Sequence, residues 1–202
     1  MPNGPGSCAP PGAKVHYTGP FRNVPEPQPF TQISLPESFV DLYLICHAEA
    51  VPLGPDGPSN DFDRPLTEAG RSQAGRLATT FEAKGVRVGR LVSSPLVRAR
   101  QTAEVLAQVW HVADDSLLTC EDLAPEGKFR NIAQFIKERR AESIGLVGHE
   151  PDMGELAGWL IGSRKAGIKF AKGGVALIQI KDGEAVGKGA GQLLWMLPPL
   201  WT

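Results

Sequence analysis

The sequence predicts an α/β protein: a three-layer α/β/α sandwich around a mostly parallel central sheet. Three observations carry this. Residues 42–50 and 144–152 are apolar runs that each end at a histidine, with the continuous hydrophobicity of strands buried on both faces. Between them, strand-like and helix-like periods alternate. After the second run, two more strand-like stretches are joined by a glycine-rich turn with no helix between, which gives the sheet a hairpin-like end.

Residues 1–38 stand apart. They hold nine of the 18 prolines and show no helical or alternating period. Proline removes backbone donors and forbids regular ladders, so this extension is read as extended or disordered. It is either a loose tail or a strap anchored by Phe21, Phe30, Ile33 and Phe39. The folded domain is expected over residues 39–202. Its first strand is Asp41–Ile45, and residues 51–66, rich in Pro, Gly, Asp and Asn, form a loop. Thr67 is expected to cap a helix carrying Leu77, Ala78 and Phe81 until Gly85 stops it. Leu91–Ser93 is a short strand, and Ser94-Pro95 opens the next helix, which runs to Trp110. A strand over Leu117–Cys120, a helix over 128–141, a strand over Ser143–Val147 and a helix over Asp152–Ile161 follow. Gly174–Ile180 and Gln192–Leu197 close the sheet.

Composition narrows the function. The chain has 202 residues and a net charge of −1, so bulk electrostatics favour neither nucleic acid nor a membrane surface as partner. Three scattered cysteines, Cys8, Cys46 and Cys120, make neither a disulfide scaffold nor a zinc site and fit a reducing cytoplasm. No secretory leader or membrane-spanning run is visible. A cytoplasmic monomer is the expectation.

The chemistry lies in three remote groups. In open α/β sheets, ligands sit beyond the carboxyl ends of the strands, where His47 and His149 both fall. Arg98 sits in the first turn of a helix, where backbone N–H groups and the helix dipole favour an anion. A neutral imidazole can attack phosphorus, a guanidinium can grip the phosphoryl oxygens in bidentate fashion, and a second imidazole can donate to the same group. This scheme needs no metal or other cofactor.

From Asp41 onward the chain resembles the histidine phosphatase superfamily, whose fold is also called phosphoglycerate mutase-like, and most closely its SixA-type phosphohistidine phosphatases. The resemblance rests on five ordered motifs. They are Leu42-Tyr43-Leu44-Ile45-x-His47-x-Glu49-Ala50, Asp63-Arg64-Pro65-Leu66-Thr67, Ser93-Ser94-Pro95 with Arg98-Ala99-Arg100-Gln101-Thr102, Val147-Gly148-His149-Glu150-Pro151-Asp152, and Leu193-Leu194-Trp195-Met196-Leu197-Pro198-Pro199. The resemblance implies that His47 is the phosphorylated nucleophile and that Arg98 and His149 bind the phosphoryl group. Cys46, Ala48 and Arg64 are further expected substrate-binding positions. Glu121, Asp122 and Glu126, in a loop after a strand, are candidate proton donors for the leaving group.

The chain departs from the family at one place. The family reads Arg-His-Gly where this chain reads Cys46-His47-Ala48. Losing one positioned donor of the oxyanion-hole kind costs roughly 10²–10³ in rate. Three consequences are open: a phosphatase attenuated by the loss, with Arg64 as a stand-in cation; a pseudophosphatase that binds a phosphorylated ligand or partner without turnover; or a functional thiol at Cys46. A thiol nucleophile of tyrosine-phosphatase type wants an arginine six residues on, where Pro52 stands. The expected partner is a phosphorylated protein or a small phosphate ester.

Overall fold

The computed structural model describes residues 38–199 except 56, 140 and 164. The reading of residues 1–38 as an extension falls, Ser38 aside, outside the described residues. Phe39, expected as an anchor of that segment, is instead the first residue of a strand and is exposed.

Six strands form one sheet. They are β1 (Phe39–Cys46), β2 (Arg90–Ser93), β3 (Leu117–Thr119), β4 (Ser143–Gly148), β5 (Val175–Lys181) and β6 (Gly191–Leu197). Their order is β3-β2-β4-β1-β5-β6. β1, β2, β3 and β4 run parallel, while β5 and β6 are antiparallel additions at one side. Four helices, α1 (Glu68–Ala83), α2 (Val97–Trp110), α3 (Phe129–Glu138) and α4 (Asp152–Leu160), cover the two faces.

Alternation along β1 separates the two faces of the sheet. Leu42, Leu44 and Cys46 point into a core closed by Ile132 and Ile136 of α3 and by Met153, Leu156 and Leu160 of α4. Tyr43 and Ile45 point into the opposite core, closed by Leu77 and Phe81 of α1 and by Ala99, Ala103 and Leu106 of α2. Because both faces of β1 and β4 are covered, their sequences read as unbroken apolar runs.

Helix starts matter most for the site. Thr67 caps α1 as expected: its hydroxyl accepts from the Gly70 N–H at 2.9 Å. Gly70 also lets α1 approach the chain after β1, since a Cβ there would lie 2.0 Å from the Glu49 carbonyl. The Ser94-Pro95 expectation needs correction. α2 begins two residues later, at Val97 with Leu96 at the N-cap. The Ser94 hydroxyl does not cap the helix, because it is turned toward His149 at 2.8 Å. A tertiary partner has won over a local propensity. α3 is also shorter than the predicted 128–141.

Candidate active site

The carboxyl ends of β1 and β4 lie side by side in register, Cys46 opposite Gly148. The His47 N–H donates to the Gly148 carbonyl at 3.0 Å, so each histidine leaves its strand at the same level. Their ring centroids are 5.1 Å apart. Arg98, near the start of α2, reaches the same spot: its Nε–H donates to His47 Nε2 at 3.2 Å. All three side chains are buried, at 7 %, 4 % and 2 % exposure for His47, Arg98 and His149. Residues far apart in order thus meet where a parallel sheet places its ligands.

Two neighbours fix the tautomer of His47. Nδ1 lies 2.7 Å from the Ala48 carbonyl, which can only accept, so Nδ1 carries the proton. Arg98 can only donate, so Nε2 carries the lone pair. Burial pulls the His47 pKa down to about 4; the Ala48 carbonyl opposes this, and the charges of Arg98, Lys172 and Arg64 add to the fall. At neutral pH the ring is therefore neutral and presents a nucleophilic nitrogen toward a guanidinium.

His149 is arranged differently. Its Nε2 meets the Ser94 hydroxyl at 2.8 Å, while its buried Nδ1 has no hydrogen-bond partner among the described residues. The Ser94 oxygen already accepts from the Leu96 N–H at 3.3 Å. With Ser94 fully buried, its hydroxyl proton is satisfied by donation to Nε2. That leaves Nδ1–H as a buried donor. Burial first, and then the charge of His47 and of Arg98, pulls the His149 pKa down to about 3.

The rest of the arginine motif has a structural reason. Thr102 Oγ1 accepts from the Ala48 N–H at 3.1 Å and donates to the Arg98 carbonyl at 2.7 Å. Gln101 Oε1 accepts from the Leu66 N–H at 2.8 Å, which ties the loop before α1 to α2. Ala48, where the family has glycine, is fully buried and does not take a positive φ. Its methyl group is therefore not a source of backbone strain.

Cys46 does not face the phosphate-sized spot as a reactive thiol. Its side chain belongs to the α3/α4 core and is 2 % exposed. Burial, reinforced by the Glu150 carboxylate, pushes its thiol up to about 12, so it stays protonated and is a poor nucleophile. Arg64 is close enough for its charge to act on His47, and two of its three nitrogens are engaged: Nε–H by the Val51 carbonyl at 2.7 Å and Nη1 by Asp61 at 2.8 Å. The three acids lie in the loop that passes the end of β4, where the Leu123 carbonyl would be 3.6 Å from a Cβ at Gly148, and each has its own surroundings. Asp122 accepts from the Lys128 N–H and the Asn131 side chain at the start of α3. Glu121 is exposed in the short 3₁₀ turn that Asp122 shares. Glu126 is also exposed, and its backbone N–H meets Asp152 at 3.4 Å.

The decisive observation is a family match. The family model for the histidine phosphatase superfamily (branch 1) matches residues 42–146, which span β1 to β4 and hold His47 and Arg98. The chain belongs to the histidine phosphatase superfamily. An uncharacterized protein of Picosynechococcus sp. is 33 % identical over 132 residues, covering 60 % of this chain and 79 % of that protein. The protein histidine phosphatase SixA, solved in complex with tungstate, superposes with a TM-score of 0.68 at 22 % identity, covering 80 % of this chain and 98 % of that one. A phosphoserine phosphatase from Entamoeba histolytica, in complex with 3-phosphoglyceric acid, gives a TM-score of 0.57 at 16 % identity over 78 % of this chain and 96 % of that one. The superfamily fold is thus shared with phosphatases whose substrates differ. No described helix is long and apolar enough to cross a membrane.

Sequence reasoning missed three residues of this superfamily site. Asp61 is the largest omission. Its carboxylate holds Arg98 Nη2 at 2.8 Å and Arg64 Nη1 at 2.8 Å, and its carbonyl takes Arg98 Nη1 at 2.6 Å. An anion therefore already sits on the guanidinium. Its hydrogen bond to Arg64, helped by Arg98, holds its pKa below the usual carboxylate range. Its position three residues before Arg64 was the available signal. Ser94 was hidden by its resemblance to a cap. Lys172, whose charge bears on His47, lies on a glycine turn with no motif to mark it.

Proposed function

We propose that this protein is a phosphatase that hydrolyses phosphohistidine, or a small phosphomonoester, through a phospho-His47 intermediate. The observation that carries this is the forced tautomer of His47: Nδ1–H on the Ala48 carbonyl and a bare Nε2 against Arg98. A surface or core histidine has no need of an arginine donor on its lone pair. A nucleophile awaiting an anion does.

In this scheme the phosphoryl group displaces the Asp61 carboxylate from Arg98, draws the Arg98 Nε–H off His47 Nε2 so that the lone pair is freed, and accepts from the guanidinium and from His149 Nδ1–H. The His47 Nε2 lone pair forms the new P–N bond while the bond from phosphorus to the leaving nitrogen or oxygen breaks. The departing atom keeps that electron pair and takes a proton. Water then attacks phospho-His47, releasing phosphate and restoring the neutral ring. An imidazole leaving group requires only a weak acid, which solvent supplies.

A second reading, binding without turnover, is favoured by one observation: position 46 offers no cation, and Asp61 occupies Arg98. One experiment separates the two. Incubation with phosphoramidate or a phosphohistidine peptide, followed by alkaline quench and mass spectrometry, should find acid-labile phosphate on His47 and none in His47→Asn. Phosphate binding without label on the wild-type protein would instead establish the binding-only reading.

A further inference from the structure

The turn that leads into β5 closes over the end of β1. The antiparallel register, with Ile45 opposite Val175, continues beyond both strands. The Cys46 N–H donates to the Gly174 carbonyl at 3.0 Å, and the Gly173 N–H lies 3.1 Å from the Cys46 carbonyl and 3.0 Å from that of His47. Gly173 has φ +71°, and a Cβ there would lie 2.6 Å from Gln73 Cδ, so only glycine makes this turn without strain. Gln73 locks it from α1: Oε1 accepts from the Glu49 N–H at 3.1 Å and Nε2 donates to the Lys172 carbonyl at 2.8 Å.

The backbone of Lys172 is thereby pinned beside residues 46–49. Its side chain is exposed, and no described residue pairs with its ammonium. The arginines differ: Arg64 is held by Val51 and Asp61, and Arg98 by His47 and Asp61. β5 borders β1 on the side away from β4, so the backbone of this turn meets the end of β1 from the edge opposite His149. Its charge acts on Cys46 as well as on His47, two of the three residues of the altered motif.

We propose that Lys172 binds the phosphoryl group beside His47 and supplies the positive charge that position 46 lacks. An ammonium on a flexible four-carbon stem is a mobile point charge with three donors, suited to reach an anion from a fixed turn. This inference rests on the phosphatase reading for the identity of the anion, but its geometry does not depend on turnover.

The test is calorimetric titration of the full chain with tungstate and with inorganic phosphate, on the wild-type protein, Lys172→Gln and Lys172→Arg. Loss of one charge-assisted hydrogen bond should weaken both anions about 10–100-fold in Lys172→Gln. Lys172→Arg should stay within about threefold of wild type, because it keeps the charge. Thermal midpoints should not move, since the side chain is exposed. Equal anion affinity in wild type and Lys172→Gln would overturn the proposal, as would a wild-type protein that binds neither anion. Anion binding that needs Lys172, with no label on His47, would keep this inference and end the phosphatase reading.

Discussion

The ends of β1 and β4 are built alike and wired oppositely. Both are buried parallel strands that pass into a histidine, and the two ring centroids lie 5.1 Å apart. Yet His47 gives its Nδ1–H to its own neighbour's carbonyl and leaves Nε2 to an arginine. His149 gives Nε2 to Ser94 and leaves Nδ1 without a partner. The same residue at the same height thus becomes an electron-pair donor in one case and a proton donor in the other. What differs is not the ring but which nitrogen its neighbours occupy.

The largest expected effect breaks the β4 half. His149→Asn removes the donor that the proposed mechanism assigns to the phosphoryl group and should lower kcat/KM by about 10²–10³ while still allowing some label on His47. Ser94→Ala sharpens the comparison. It leaves the ring in place but frees its tautomer, and should cost up to about tenfold. An effect of Ser94→Ala as large as that of His149→Asn would mean that the serine itself touches substrate.

How far the sequence revealed this arrangement depends on the kind of signal. Strands β1 and β4 were plain because burial on both faces makes them continuously apolar, and Thr67 was plain because a cap is a local device. The convergence of His47, Arg98 and His149 followed from two strand ends and one helix start. Ser94 was misjudged because its local preference and its tertiary bond compete for one hydroxyl. Asp61 and Lys172 were missed for a different reason. Each depends on where an irregular segment folds back, the loop before α1 or the turn before β5, and no periodicity encodes that.

A smaller effect concerns pH. In the unfolded chain His47 titrates near 6.5, and in the folded protein at about 4. Between those values the unfolded state binds the extra proton, so stability falls as pH falls through this window. The loss should amount to about 3 kcal/mol by pH 4. Urea titrations across pH 4 to 7 should show a shallower decline for His47→Asn than for the wild type. Identical declines would mean that the His47 ring is not held neutral by burial.

The central claim is that Nε2 of His47 is the attacking atom. Phosphorus–nitrogen correlation by NMR, on the ¹⁵N-histidine-labelled protein after phosphoramidate treatment, tests it most directly. The account predicts one phosphohistidine, at His47, with phosphorus bonded to Nε2. Phosphorus on Nδ1, or on any residue other than His47, would contradict it.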